Sequence, residues 1–335
     1  MKRLLLAVVS LSLFVAGTAF SAGEREYPAR DITNVVVWAA GGGTDVCNRI
    51  ISAEMAKRLK VNVNVTNVTG GVGGSVGMLE VFSKPHDGYT LAGISESCVT
   101  AGVQGGWDKG MNVWDPYIVG GSPDVVSVSP STPYKTLGEL IEAAKKSPDT
   151  IRAGASASGS IHHLNLLALE KGTGAKFNFI PYTGSAPAQN AAMSGEVSVV
   201  VTSVAEQAQL IRGGKLRVLA VLVPQDFKFG DATFPSGFTA YPGLAKYLPI
   251  SQAIGFAVPR DTPAAAKQKI TAAFDDAMKS DAVQKWLSDN YYVSSGLSGD
   301  AANKVFAGLE SNFSWTLWDL GAAKVSPDKL GIPKP

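Results

Sequence analysis

With 335 residues, a formal charge of +2 and only 17% charged residues, the chain is too long for one core. It is also too nearly neutral for a surface built to hold nucleic acid or an anionic membrane. Two cysteines and three histidines do not make a convincing metal site, and no cofactor is expected. Thirty-six glycines among 45% hydrophobic residues suit an α/β protein with buried parallel strands rather than a disordered or fibrous one.

Lys2 and Arg3 precede a short apolar stretch from Leu4 to Gly17 and then small residues, Thr18, Ala19, Ser21 and Ala22. That order is an export signal over residues 1–22, shorter than a membrane span, with cleavage between Ala19 and Ala22. No cysteine follows closely enough to accept a lipid, so a soluble periplasmic protein is expected. Losing Lys2 and Arg3 brings the formal charge from +2 to 0.

The first strand is predicted from Ile32 to Trp38. It runs into Ala39-Ala40-Gly41-Gly42-Gly43-Thr44-Asp45, from which a helix leaves toward Leu59. A strand, a glycine turn and a helix N-terminus present outward backbone N–H groups with the positive dipole end behind them, a setting for an anion. A plain βα turn capped by Thr44 or Asp45 is the alternative. Val61 to Val65 alternates as a strand and enters a second loop, Gly70-Gly71-Val72-Gly73-Gly74, followed by a helix from Val76 to Phe82. A third strand, Tyr89 to Ile94, ends at Ser95-Glu96-Ser97-Cys98. Tyr117 to Gly120 and Val125 to Val128 read as paired segments leading out of this unit.

A second set of βα units follows. Ile151 to Ala155 leads to Ser156-Ala157-Ser158-Gly159-Ser160 and a helix from Ile161 to Lys171, ended by Gly172 and Gly174. Phe177 to Ile180 leads to Tyr182-Thr183-Gly184-Ser185 and an alanine-rich helix. Val197 to Val201 and Leu216 to Leu222 are further strands, with a helix from Glu206 to Ile211 between them and Ser203 at a strand end. Pro224 to Pro249 reads as a long packed loop. Ala253 to Val258 reads as a strand returning to the first unit, and the rest as helices. Domain 1 is therefore expected over 23–125 plus 253–335, and domain 2 over 126–252.

Four loops rich in Gly, Ser and Thr thus follow strands and open helices, two in each half, and none contains Lys or Arg. In such folds these loops gather at the C-terminal sheet edge, where ligands bind. The expected ligand contacts are Ala40, Gly41, Gly42, Gly43, Thr44 and Asp45 in the first loop, and Gly70, Gly71, Gly73 and Gly74 in the second. Ser95 and Ser97 follow the third strand. Ser156, Ser158, Gly159, Ser160 and His163 come from the second set, with Tyr182, Thr183, Gly184 and Ser203. Asp45 reads first as a cap of its own helix and His163 as a packed, hydrogen-bonded ring. Glu96 either faces the cleft, where it favours a ligand bearing a donor or an amino group, or points to solvent. Cys47 and Cys98 are either two separate buried thiols or a disulfide.

Several stretches together resemble one family. They are Tyr27-Pro28-Ala29-Arg30-Asp31-Ile32, Gly41-Gly42-Gly43-Thr44-Asp45 with Arg49, Asp87-Gly88-Tyr89-Thr90, Gly159-Ser160 with His163, and Pro181-Tyr182-Thr183-Gly184-Ser185-Ala186-Pro187-Ala188. In order and spacing they resemble the extracytoplasmic solute receptors of tripartite tricarboxylate transporters, the Bug receptors. The resemblance implies a two-domain periplasmic binding protein of the type II, Venus-flytrap kind, each domain a mainly parallel sheet flanked by helices. It implies a monomer that binds a small carboxylate or amino-acid-like ligand through main-chain amides, and a membrane permease of one large and one small subunit as partner. The second loop departs from the family's common Asn-Arg-Pro-Gly, reading Asn67-Val68-Thr69-Gly70, and Trp38 and Glu96 are not the family's commonest residues. Other readings are a receptor for a signalling partner and a secreted Ser or Cys hydrolase. Against the hydrolase, Gly154-Ala155-Ser156-Ala157-Ser158 lacks the final glycine of a nucleophile elbow.

Overall fold

The computed structural model describes residues 26–248 and 252–335; the expected export signal lies outside them. In chain order the strands are β1 (Ile32–Val36), β2 (Val63–Asn67), β3 (Thr90–Ser95), β4 (Trp114–Gly121), β5 (Asp124–Val128), β6 (Arg152–Ser156), β7 (Asn178–Tyr182), β8 (Val199–Ser203) and β9 (Arg217–Val221). They are followed by β10 (Phe227–Phe229), β11 (Ala232–Phe234), β12 (Ile254–Pro259) and β13 (Val293–Leu297). The helices are α1 (Gly43–Leu59), α2 (Ser75–Phe82), α3 (Leu137–Lys146), α4 (Ile161–Thr173), α5 (Ser185–Ser194), α6 (Val204–Arg212), α7 (Gly237–Ala240), α8 (Ala264–Lys279), α9 (Asp281–Asp289) and α10 (Gly299–Asp319).

Two main sheets result, one ordered β13-β4-β12-β3-β1-β2 and the other β7-β6-β8-β5-β9. Each is parallel where the glycine loops leave it (β2-β1-β3 and β7-β6-β8) and antiparallel beyond. Strands buried on both faces divide their side chains between two cores, as period-two geometry requires. Ile254, Phe256 and Val258 of β12 join a core with α1 and α8, while Ala253 and Ala257 face another that includes Phe306 and Phe313 of α10. In the second lobe Val199 and Val201 pack toward α3 and α4, and Val200 toward α5.

The chain passes from the first sheet to the second in the few residues between β4 and β5, and comes back into β12. The expected pairing of Tyr117–Gly120 with Val125–Val128 does not occur. β4 pairs with β12 and β13, and β5 with β8 and β9, because Ser122-Pro123 carries the chain across instead of turning it back. The stretch expected as one long loop holds the β10–β11 hairpin, α7 and a 3₁₀ turn. The helix expected to stop at Lys171 runs to Thr173, where Gly174 takes the left-handed cap conformation.

Candidate functional site

The loop edges of the two parallel half-sheets face each other. α1 and α5 each begin on a glycine, Gly42 and Gly184, with no side chain capping the first turn, so their leading N–H groups are open to partners from outside the helix. A Cβ on Gly42 would lie 3.8 Å from Ser185 N, which places the two helix starts end to end across the cleft. The lobes are joined there by direct bonds. Ala39 N donates to Thr183 O at 3.2 Å. Gly43 N donates to Glu206 Oε1 at 3.0 Å. Thr100 Oγ1 donates to Gly159 O at 2.6 Å, and Ile161 N to Ser97 Oγ at 2.9 Å. The enclosed space is about 20 Å³, enough for roughly one water molecule. The cleft is shut.

Of the residues expected from sequence, Gly42, Gly43, Thr44, Ser95, Ser97, Ser156 and Gly184 line this space. The others are placed elsewhere, for identifiable reasons. Ala40 and Gly41 are exposed at the loop surface. Asp45 is 2% exposed and holds its own loop, accepting from Gly41 N, Arg49 Nε and Asn67 Nδ2. Burial works against its ionisation, but Arg49 and these donors keep its carboxyl below the usual range. Gly70, Gly71, Gly73 and Gly74 form a buttress instead of a wall. A Cβ on Gly74 would come within 2.6 Å of Val37, and one on Gly73 within 2.9 Å of Ala101 N. Ser160 caps α4 through His163 N, and Ser158 is half-buried outside the cavity. His163 accepts from Gly159 N at 3.0 Å and stacks on Phe179, and burial lowers its pKa to about 4. Tyr182 turns its hydroxyl to Glu196. Thr183 is exposed and takes part through its carbonyl, and Ser203 caps α6.

The side chains that give the cleft its charge are Glu96, His162 and Glu206, joined on its walls by Trp38, Ser185 and Gln252. Glu206 Oε2 accepts from Ser203 N at 3.0 Å and from Ser203 Oγ at 2.9 Å, while Oε1 reaches across to Gly43. His162 bridges two carboxylates, with Nδ1 2.7 Å from Asp124 Oδ2 and Nε2 3.3 Å from Glu206 Oε2. Burial disfavours the charged ring, yet Asp124 and Glu206 override it and hold His162 protonated well above its usual range. Burial likewise opposes ionisation of Glu206, and His162 reverses it, bringing its pKa down to about 2. Glu96 is 1% exposed and accepts from Ala253 N at 2.7 Å and Ser97 Oγ at 2.8 Å. Burial raises its pKa to about 7, partly offset by those donors and by His162.

Ser185 Oγ lies 3.2 Å from His162 Nε2, so Ser185, His162 and Asp124 have the spacing of a hydrolase relay. The ring, however, lies between two carboxylates that favour its protonated form, which disfavours proton transfer from Ser185. Cys47 and Cys98 are separate, free and buried. Burial pushes both thiols up, Cys98 to about 12, away from nucleophilic thiolate.

No described helix is long and apolar enough to cross a membrane. The family model for the tripartite tricarboxylate transporter family receptor matches residues 47–305. The chain is 32% identical over 230 residues to protein BugT of Bordetella pertussis, covering 65% of this chain and 68% of that one. Among solved structures, a TctC solute-binding protein from Polaromonas is 28% identical, with a TM-score of 0.61 over 88% of this chain and 99% of its own. MatC of Rhodopseudomonas palustris with bound malate, at 23% identity, shares the fold, with a TM-score of 0.77 over 88% of this chain and all of its own. The two-sheet fold is thus shared with solute-binding proteins, and the match across most of the sequence makes this chain a member of the tripartite tricarboxylate transporter receptor family.

Proposed function

We propose that this chain is a periplasmic receptor that captures a small carboxylate-bearing solute between its two lobes and passes it, as a monomer, to a membrane permease of one large and one small subunit. The lobe boundary expected after residue 125 moves to the Ser122-Pro123 crossing, because Asp124 and Val125 already pair with β8 and β9 of the second sheet. The leading 22 residues direct export. The observation that carries the reading is the meeting of the α1 and α5 N-termini across the cleft, with side chains of both lobes lining one cavity. Oriented N–H groups and a helix dipole suit a carboxylate, a terminus not already bonded contributing about 0.3–1 kcal/mol and up to about 2 when partly buried. Two proteins of this fold were solved with malate and with adipate, which supports a small organic acid as the class. With about 20 Å³ enclosed, entry requires the lobes to part.

Calorimetry and thermal shift on the purified mature chain test this against mono-, di- and tricarboxylates and amino acids. A specific solute raises the melting temperature by mass action, adding about 2.7 kcal/mol at one hundred times its Kd. Silence across the whole panel, with turnover of a chromogenic ester, rejects the receptor in favour of a hydrolase.

A further inference from the structure

The cleft is charged in an unexpected sense for a binder of polyanions. None of the residues lining it is Lys or Arg, and His162, its one cationic side chain, is already paired with Asp124 and Glu206. Glu96 is buried on the cavity wall with a backbone amide and a hydroxyl as partners and no cation in ion-pair range. A buried carboxylate without a counter-ion is costly unless something else supplies the charge. The first lobe's amide site is also taken, because Glu206 lays its own carboxylate on Gly43 N. That leaves the backbone N–H groups at the start of α5, at Gly184 and Ser185, without a side-chain cap, while the Ser185 hydroxyl is taken by His162 and Glu206. The hydroxyls of Thr44 and Ser156 face the same space. These residues are 6% and 4% exposed, and no other described residue bonds either hydroxyl. Trp38 adds an aromatic wall, its ring nitrogen fixed to Ser95 Oγ at 3.1 Å.

We propose that the solute carries a protonated amine, held by Glu96 beside the Trp38 ring, and no more than one carboxylate, held at the N-terminus of α5. This narrows the receptor reading and rests on it. Carboxylates beside an aromatic face are the usual means of holding an ammonium group. A dicarboxylate would instead bring two negative charges into a buried space whose one cationic side chain, His162, is already shared between Asp124 and Glu206, a juxtaposition that disfavours binding. The Thr44 and Ser156 hydroxyls supply orienting hydrogen bonds.

The test uses the purified mature chain and matched probes: amino acids with α- and ω-amino groups, the amines left by their decarboxylation, their N-acetylated forms, and malate, adipate and citrate. An amino acid or amine is expected to bind, its N-acetylated form to bind at least tenfold more weakly, and the three polycarboxylates not to bind. Glu96→Gln is expected to weaken the amine-bearing probe at least tenfold while unfolding cooperatively. The N-acetyl comparison alters only the probe, so it decides the matter even where a variant fails to fold. Binding of malate, adipate or citrate, or undiminished binding of the acetylated form, overturns this inference and leaves the receptor reading standing. Silence from every probe overturns both.

Discussion

Glu96 shows how one side chain ties stability to the binding surface. Its pKa, raised by burial to about 7 from an ordinary value near 4.5, favours the protonated folded form. Its contribution to stability is therefore complete below about pH 4.5 and is lost as the pH rises through 7. For this 1%-exposed group that difference is worth about 3 kcal/mol. Glu96→Gln, which mimics the neutral acid, is predicted to leave the melting temperature unchanged near pH 5 and to raise it near pH 8. Equal melting temperatures for the two proteins at pH 8 would count against it. His162 and Glu206 have opposite signs. The raised His162 stabilises most fully below about pH 6.5 and loses its contribution as the pH climbs through its own higher value. The lowered Glu206 stabilises above about 4.5 and loses its contribution as the pH falls through about 2. Sequence shows that Glu206 lies three residues after Ser203, the spacing of a capping box. The structure gives it that local role and a second one across the cleft. No local pattern encodes the second, because it depends on where Gly43 of the other lobe comes to rest.

At the scale of elements, strand, glycine loop and helix start are legible because each has a local cause. Apolar runs, turn residues and caps leave marks within ten residues of one another. β13 left no such mark. Val293 is 72% exposed and is followed by Ser294, Ser295 and Gly296, so its strand character comes from backbone pairing to the edge of β4. The second glycine loop was legible as a loop but not as a support, since its role depends on Val37 and Ala101 lying behind it. The loop before α4 makes the clearest prediction at this scale. Gly159 has φ +79°, and a Cβ there would lie 2.8 Å from both Gln104 Cγ and Thr100 Oγ1 of the opposite lobe. Gly159→Ala is expected to destabilise the fold by about 1–2 kcal/mol through the left-handed backbone. It should also weaken solute binding at least tenfold by holding the lobes apart. Calorimetry beside a denaturation curve separates the two effects, and unaltered affinity would show that Thr100 and Gln104 give way.

For the whole molecule, the two-lobed α/β architecture was readable from the recurrence of βα units, while the mixed sheets were not. β5 and β12 are apolar runs like their parallel neighbours, and only the path of the chain makes them antiparallel. Small-angle scattering is predicted to give a smaller radius of gyration with saturating solute than without, and superimposable profiles would exclude a large rotation of the lobes.

The two passages between the sheets are tied to one another. Ser122 N donates to Gln252 Oε1 at 3.0 Å, and Gly121 packs so closely on Gln252 O that a Cβ would lie 1.9 Å from it. Passages laced together in this way resist independent twisting, which favours rotation of the lobes about the tie over sliding or splaying. A rotation of that kind changes the surface that spans both lobes, so a partner seated there can register the lobes' angle without touching the solute at all.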